Sequence, residues 1–259
     1  MILIRERDPG GEVEVFLLRR HASSSFMARS FVFPGGTVDE DDRDPRETAA
    51  RELLEEAGVL LAEGSLTPGA LTAARRAHRG GSPFAAVLED AGARLARERL
   101  HYFGHWITPS VEPKRFDVIF FVAELPEGQS PAFDAVETVD EIWVTPSKAL
   151  ARAGELRLPP PQVRTMYDLR DAATVGVRAV IGLADERARH RHPVTPKVTS
   201  MAGAPGGFAL LLPWDPQYPS APGEGVAIPA DHPLAQGPSR FVLTTNGWQL
   251  ADPPDPTGE

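Results

Sequence analysis

The chain has 259 residues, 42% hydrophobic and 24% charged, which suits one large globular domain or a medium domain with an appendage. It contains no cysteine, so disulfides, thiolate chemistry and a cysteine-based zinc site are excluded. The formal net charge of −9 argues against a nucleic-acid polymer as partner, but allows a small anionic substrate whose charge metal ions would meet.

In chain order, Ile2 to Arg5 and Val13 to Leu18 read as strands, separated by the turn chemistry of Asp8-Pro9-Gly10-Gly11. Ser30 to Phe33 is a third short strand, stopped by Pro34-Gly35-Gly36. Residues 45–57 read as a helix: Asp44 is the N-cap, Pro45 suits the first helical position, Glu47 completes an Asp-x-x-Glu capping box and Gly58 ends it. Residues 69–99 form a helical insert in two pieces, broken at Gly80-Gly81-Ser82-Pro83. Strands resume at Tyr102 to Thr108, Phe116 to Glu124 and Glu141 to Val144. A short helix runs from Pro146 through Ala151, and two more lie around 161–172 and 175–190.

After about residue 193 proline and glycine become dense and the apolar segments shorten. Asn246-Gly247 between Phe241-Val242-Leu243 and Trp248-Gln249-Leu250 signals a β-hairpin. Residues 1–192 are therefore expected to form the main domain, 193–252 a small β-rich appendage and 253–259 a frayed tail, with a disordered tail throughout as the alternative. No apolar run approaches the ~20 residues needed to span a bilayer. Met1-Ile2-Leu3-Ile4-Arg5-Glu6 meets charge too early for a signal peptide, and Pro256 to Glu259 carries no lipidation or address motif. The expected location is the cytoplasm, with no membrane partner.

The chemistry concentrates between Gly35 and Val59. Glu52, Glu55 and Glu56 stand at i, i+3 and i+4 and share a helical face, with Ala49, Leu53 and Ala57 forming a neighbouring apolar strip. Arg51 precedes Glu55 by one turn and can pair with it. Three carboxylates on one face repel, and burial would raise their pKa values. A hard divalent cation, Mg²⁺ or Mn²⁺, relieves both penalties because it prefers oxygen ligands. Gly36 can add a backbone carbonyl at close range. A solvated glutamate-rich face is the bland alternative for Glu-x-x-Glu-Glu alone.

The whole segment resembles the signature of the Nudix hydrolase family, Gly-x5-Glu-x7-Arg-Glu-U-x-Glu-Glu-x-Gly-U, with U apolar. Arg51, Glu52, Leu53, Glu55, Glu56, Gly58 and Val59 match its helical half. The loop half carries one extra residue: Gly36 to Arg51 is 15 positions against the pattern's 14, so the first acidic position falls on Asp42 counted from Gly36 and on Arg43 counted from Arg51. Asp42 is the choice. The resemblance extends to the branch that includes peroxisomal coenzyme A diphosphatases. It is carried by Leu17-Leu18-Arg19-Arg20 before Phe31 to Gly36, by the insert 69–99, and by Trp106 to Pro109 with Arg115-Phe116-Asp117.

It implies an α/β/α sandwich with a mixed sheet and a metal-dependent hydrolase of the diphosphate linkage in nucleoside diphosphate derivatives. Coenzyme A or an acyl-coenzyme A is the first choice of substrate. An ADP-ribose or NADH-type dinucleotide pyrophosphatase is the alternative enzyme, and a nucleotide-sensing binding module the alternative outside enzymes. Glu52, Glu55, Glu56 and Gly36 are the expected metal ligands, while Arg51, Asp42, Gly35 and Gly58 are structural members of the motif. A general base comes from the motif or from Glu137 or Glu141. Arg19, Arg20, Arg29, Lys114 and Arg115 are candidates to meet substrate phosphates. Trp106, Phe116 and Phe120 read as core, and His190-Arg191-His192 as a basic helix end. The appendage can serve a homodimer or another partner.

Overall fold

A computed structural model describes residues 1–24, 27–64, 66–134, 137–201 and 206–253. Its elements are β1 (Ile2–Glu6), β2 (Val13–Arg20), β3 (Phe31–Val32), α1 (Pro45–Ala57), α2 (Pro68–Arg79), α3 (Phe84–Asp90), β4 (His101–Ile107), β5 (Asp117–Glu124) and β6 (Thr138–Val144). They continue with α4 (Pro146–Ala151), α5 (Pro160–Ala173), α6 (Val177–Arg189), β7 (Pro193–Val194), β8 (Lys197–Ser200), β9 (Phe208–Leu211), β10 (Arg240–Thr244) and β11 (Gly247–Ala251). The fold is mixed α/β. Among the described residues no helix is long and apolar enough to cross a membrane. Two compact units divide the chain, and each draws on separated stretches of sequence.

The first unit comprises Met1–His101, Phe121–Thr145 and Ala172–Ile181. Its strands follow the order β3-β2-β1-β5, and β6 also pairs with β2, along Val15 to Arg20. The sheet is mixed: β1 runs antiparallel to β2 and parallel to β5. Ile2, Leu3 and Ile4 are fully buried, as are Phe16, Leu17 and Leu18. These unbroken apolar runs suit strands covered on both faces rather than a half-exposed alternation. Glu6 at the end of β1 accepts the amide of Val177 at 2.9 Å, so the start of α6 is capped by a carboxylate 171 positions away.

α1 begins and ends on its local signals. The Asp44 side chain accepts from the Arg46 and Glu47 amides, and Gly58 takes the left-handed conformation at φ 64° with its amide returned to Leu54. One expectation fails: Glu47 does not complete a reciprocal capping box. Its buried carboxylate is held by Arg43 at 2.9 Å and Arg97 at 3.0 Å, and such charge-assisted bonds outcompete a neutral backbone amide.

The insert departs from the sequence reading at its far end. Helix stops at Asp90, Gly92 turns left-handed at φ 61°, and only a short 3-10 turn at Arg97–Arg99 follows. Between them the backbone is engaged elsewhere, with Glu63 donating to Arg94 and Ala96 to Leu61. The third strand is also shorter than expected and β6 longer, because β6 pairs along nearly the whole of β2.

The second unit comprises Tyr102–Phe120, Pro146–Asp171 and Gly182–Glu259. It contains a parallel β4–β7 pair and a four-stranded antiparallel sheet, β11-β10-β9-β8. Ala209, Leu211 and Tyr218 form an apolar cluster under that sheet. The expected hairpin is present but shifted by one residue: Thr244 pairs with Gly247, so the turn is Thr245-Asn246. Gly247, at φ 85°, supplies the left-handed position after the turn. Buried ions brace the unit. Arg240 donates twice to Asp215, which also accepts from Ser239. Arg164 donates to Asp168 and to the carbonyls of Gln236 and Pro238. The expected tail lies outside the described residues from 254 onward.

Candidate active site

The turn from β3 into α1 lays backbone directly on two glutamates. Gly35, at φ 152°, donates its amide to Glu56 Oε2 at 2.8 Å. A Cβ on Gly36 would stand 2.5 Å from Glu52 Oε1, so only glycine lets the loop approach this carboxylate. Arg51 ties the longer part of the loop to the helix. It reaches Asp42 at 3.0 Å, the Thr37 carbonyl at 2.8 Å, Glu52 at 3.0 Å and Glu55 at 3.3 Å. Burial opposes the guanidinium's charge, but its bond to Asp42 and the Glu52 charge outweigh that and hold its pKa above the ordinary value. The Asp42 carboxyl is in turn held below its usual range: burial pushes it up, and Arg51 more than compensates.

The three glutamates share a helical face but not an environment. Glu52 and Glu56 are buried, whereas the Glu55 side chain is 51% exposed, between Arg51 and His78 Nε2 at 3.5 Å. Burial pushes Glu56 up to about 7, helped by the charges of Glu52 and Glu137 and opposed by the Gly35 amide and the Met1 amino group. Burial likewise raises Glu52, against the pull of Arg51. Buried, mutually repelling carboxylates are a cost that a bound cation removes.

Among the described residues no three histidine, aspartate or glutamate side chains stand together as a finished cage. Glu52, Glu55 and Glu56 carry oxygen donors alone, beside the close backbone of Gly36, and oxygen donors are what a hard cation that keeps waters and shares ligands with substrate phosphates would take.

The NUDIX domain family model matches residues 1–165. The chain belongs to the Nudix hydrolase family. Nudix hydrolase 7 of Caenorhabditis elegans is 32% identical over 162 residues, covering 58% of this chain and 53% of the relative. This chain therefore spans about half the length of that protein. The acyl-coenzyme A diphosphatase NUDT19 of Xenopus laevis is 23% identical over 286 residues, covering 82% of this chain and 73% of its own. A NUDIX hydrolase crystal structure from Alicyclobacillus acidocaldarius superposes with a TM-score of 0.58 at 25% identity, over 70% of this chain and 92% of that one.

Around the Nudix helix the remaining candidates separate. Glu137, just before β6, is exposed and close enough for its charge to raise both Glu52 and Glu56. Glu141 is spent differently, accepting the Phe133 amide at 2.7 Å. Arg19 pairs with Asp140 at 3.4 Å, and Arg20 donates its amide to the Ser30 carbonyl. Arg29 is exposed and left-handed at φ 63°. Arg115 belongs to the second unit, where it donates to the Thr108 carbonyl and pairs with Glu224 at 2.9 Å. Lys114 lies over the Phe116 ring, and Trp106 is buried. His190 pairs with Glu186 at 3.1 Å, and His232 packs edge-on against both His190 and His192.

Sequence reasoning missed His78. Its signal was the spacing of Leu71, Ala74 and His78 at i, i+3 and i+7, which puts the imidazole on the buried stripe of α2.

Proposed function

We propose that this Nudix hydrolase cuts the diphosphate linkage of a nucleoside diphosphate derivative with Mg²⁺ or Mn²⁺, and that coenzyme A or an acyl-coenzyme A is its substrate. The observation that carries the reaction type is the Gly35-Gly36 loop seated on Glu52 and Glu56, which sets backbone against two buried, mutually repelling carboxylates on the Nudix helix. The substrate choice is supported by the frog relative, which aligns over 82% of this chain.

Glu52, Glu55, Glu56 and the Gly36 carbonyl would hold the cation. When bound, it supplies positive charge to the diphosphate and lowers the pKa of a coordinated water. The chain's own residues do the rest. Arg51 keeps the loop and helix in register through Asp42 and Thr37. Glu137, exposed beside Glu52 and Glu56, is our choice for the group that accepts the water's proton, ahead of Glu141, whose carboxylate is already bonded to the Phe133 amide. Arg19, Arg20 and Arg29 are proposed to meet substrate phosphates, and Arg115 falls from that set because Thr108 and Glu224 already engage it.

A panel of coenzyme A, acetyl-coenzyme A, ADP-ribose, NADH and nucleoside triphosphates, each with Mg²⁺ or Mn²⁺, tests the reading. We expect 3′,5′-ADP from coenzyme A, and no turnover in chelator until the metal is restored. Selective cleavage of ADP-ribose or NADH would transfer the assignment to a dinucleotide pyrophosphatase. Binding without cleavage of any member would favour a sensing module. A cytoplasmic location and a β-rich appendage at 193–259 that mediates dimerisation are further proposals. Light scattering on the full chain tests the last, and a monomer mass would reject it.

A further inference from the structure

We propose that α2 of the insert serves the Nudix helix through a positioning residue, His78, which orients the Glu55 carboxylate toward the cation. The inference rests on the metal-site reading above and adds to it a residue outside the Nudix signature.

Glu55 is the least constrained of the three glutamates, with half its side chain exposed, so it has the most rotamer freedom to lose on binding a metal. Two groups restrain it: Arg51 at 3.3 Å from its own helix and His78 Nε2 at 3.5 Å from α2. The placement of α2 is itself secured at the end of α1. Arg75 donates to the Gly58 carbonyl at 2.5 Å and to the Ser130 carbonyl at 3.3 Å. Leu71 and Ala74 are buried on the stripe that carries His78, and the Phe84 ring meets the imidazole edge-on at 6.5 Å between centroids.

The tautomer follows from the surroundings. His78 Nδ1 is buried without a hydrogen-bond partner, so a proton there would be an unpaired buried N–H. The proton therefore belongs on Nε2, the nitrogen that lies 3.5 Å from Glu55 Oε2. Ligating carboxylates are commonly held this way by a hydrogen-bond donor behind them, and loss of such a donor costs about 10–100-fold in metal affinity or activity.

The amide side chains discriminate between orientation and packing, because glutamine presents an N–H near the Nε2 position and asparagine near Nδ1. On the full-length chain, Mn²⁺ binding is titrated by electron paramagnetic resonance for His78→Ala, His78→Asn and His78→Gln, alongside kcat and KM on the cleaved member of the panel. We expect Mn²⁺ affinity and kcat to fall about tenfold in H78A and H78N with KM unchanged, and H78Q to stay within about threefold of wild type. Wild-type Mn²⁺ affinity in H78A and H78N, or equal impairment of H78Q and H78A, overturns the proposal. Glu56→Gln, run in parallel, separates the two readings. If it binds Mn²⁺ as tightly as wild type, the metal site itself is misplaced. If it loses binding while H78A does not, only the role of His78 falls.

Discussion

At the scale of single residues, the decisive quantity is the protonation of Glu56. Its pKa of about 7 stands above the ordinary 4.5. Between those values the folded chain holds a proton that the unfolded chain has released, so this group's contribution to stability falls as pH rises through the window and is fully adverse above it. Glu56→Gln removes that cost. In metal-free buffer at pH 8 it should stabilise the protein by about 1–2 kcal/mol, raising Tm by roughly 2–4 °C per kcal/mol, as scanning calorimetry would register. The same variant, and Glu55→Gln, should lower kcat by about a hundredfold or more, beyond the roughly 10–100-fold typical of losing a ligand's supporting bond. Near-wild-type turnover in both would sink the assignment. Mn²⁺ affinity should rise as pH increases through about 7, because the cation displaces the Glu56 proton; a flat profile from pH 6 to 8 would contradict this.

At the scale of elements, two glycines around α1 have separable jobs. Gly58 sits at φ 64°, and a Cβ there would stand 2.8 Å from Arg75 Nε. Gly58→Ala should cost about 1–2 kcal/mol in urea denaturation, from left-handed strain and loss of the Arg75 clamp. Gly36→Ala would press on the carboxylate end of Glu52 and on no backbone atom, so stability should change less than in Gly58→Ala while Mn²⁺ affinity falls. The reverse pattern would show the loop to be a structural turn alone. Elements with local signals were legible in sequence. The Asp44 cap, Pro45 and Gly58 bound α1 at its observed ends. The insert's end at Asp90 was not legible, because pairing with residues 61–63 diverts the chain from helix. Glu47 misled in part for a related reason: of the two arginines that claim its carboxylate, Arg43 is four positions away but Arg97 is 50.

At the scale of the molecule, the C-terminal stretch is tied into the second unit by buried charge. Arg240 and Asp215 are almost wholly buried and answer one another with two hydrogen bonds. Asp215→Ala would strand the guanidinium and should destabilise by about 3–5 kcal/mol, readable as a shift of the urea midpoint. A chain ending near residue 193 would leave Arg164 without the carbonyls of Gln236 and Pro238. We expect that truncation to aggregate rather than yield a well-folded enzyme. A sharp, unshifted melting transition would show instead that residues 193–259 are dispensable to the fold.

The chemical class of this protein was written in local sequence. A helix of 3.6 residues per turn places Glu52, Glu55 and Glu56 on one face whatever surrounds it, and the glycines before and after bound that helix by backbone conformation alone. What tertiary structure decided was the inequality among those residues. Burial separates Glu56 from exposed Glu55, Arg51 reaches across the loop to Asp42, and Glu137 and His78 arrive from other elements. Desolvation and through-space charge depend on distances between segments far apart in the chain, and no window of sequence contains them.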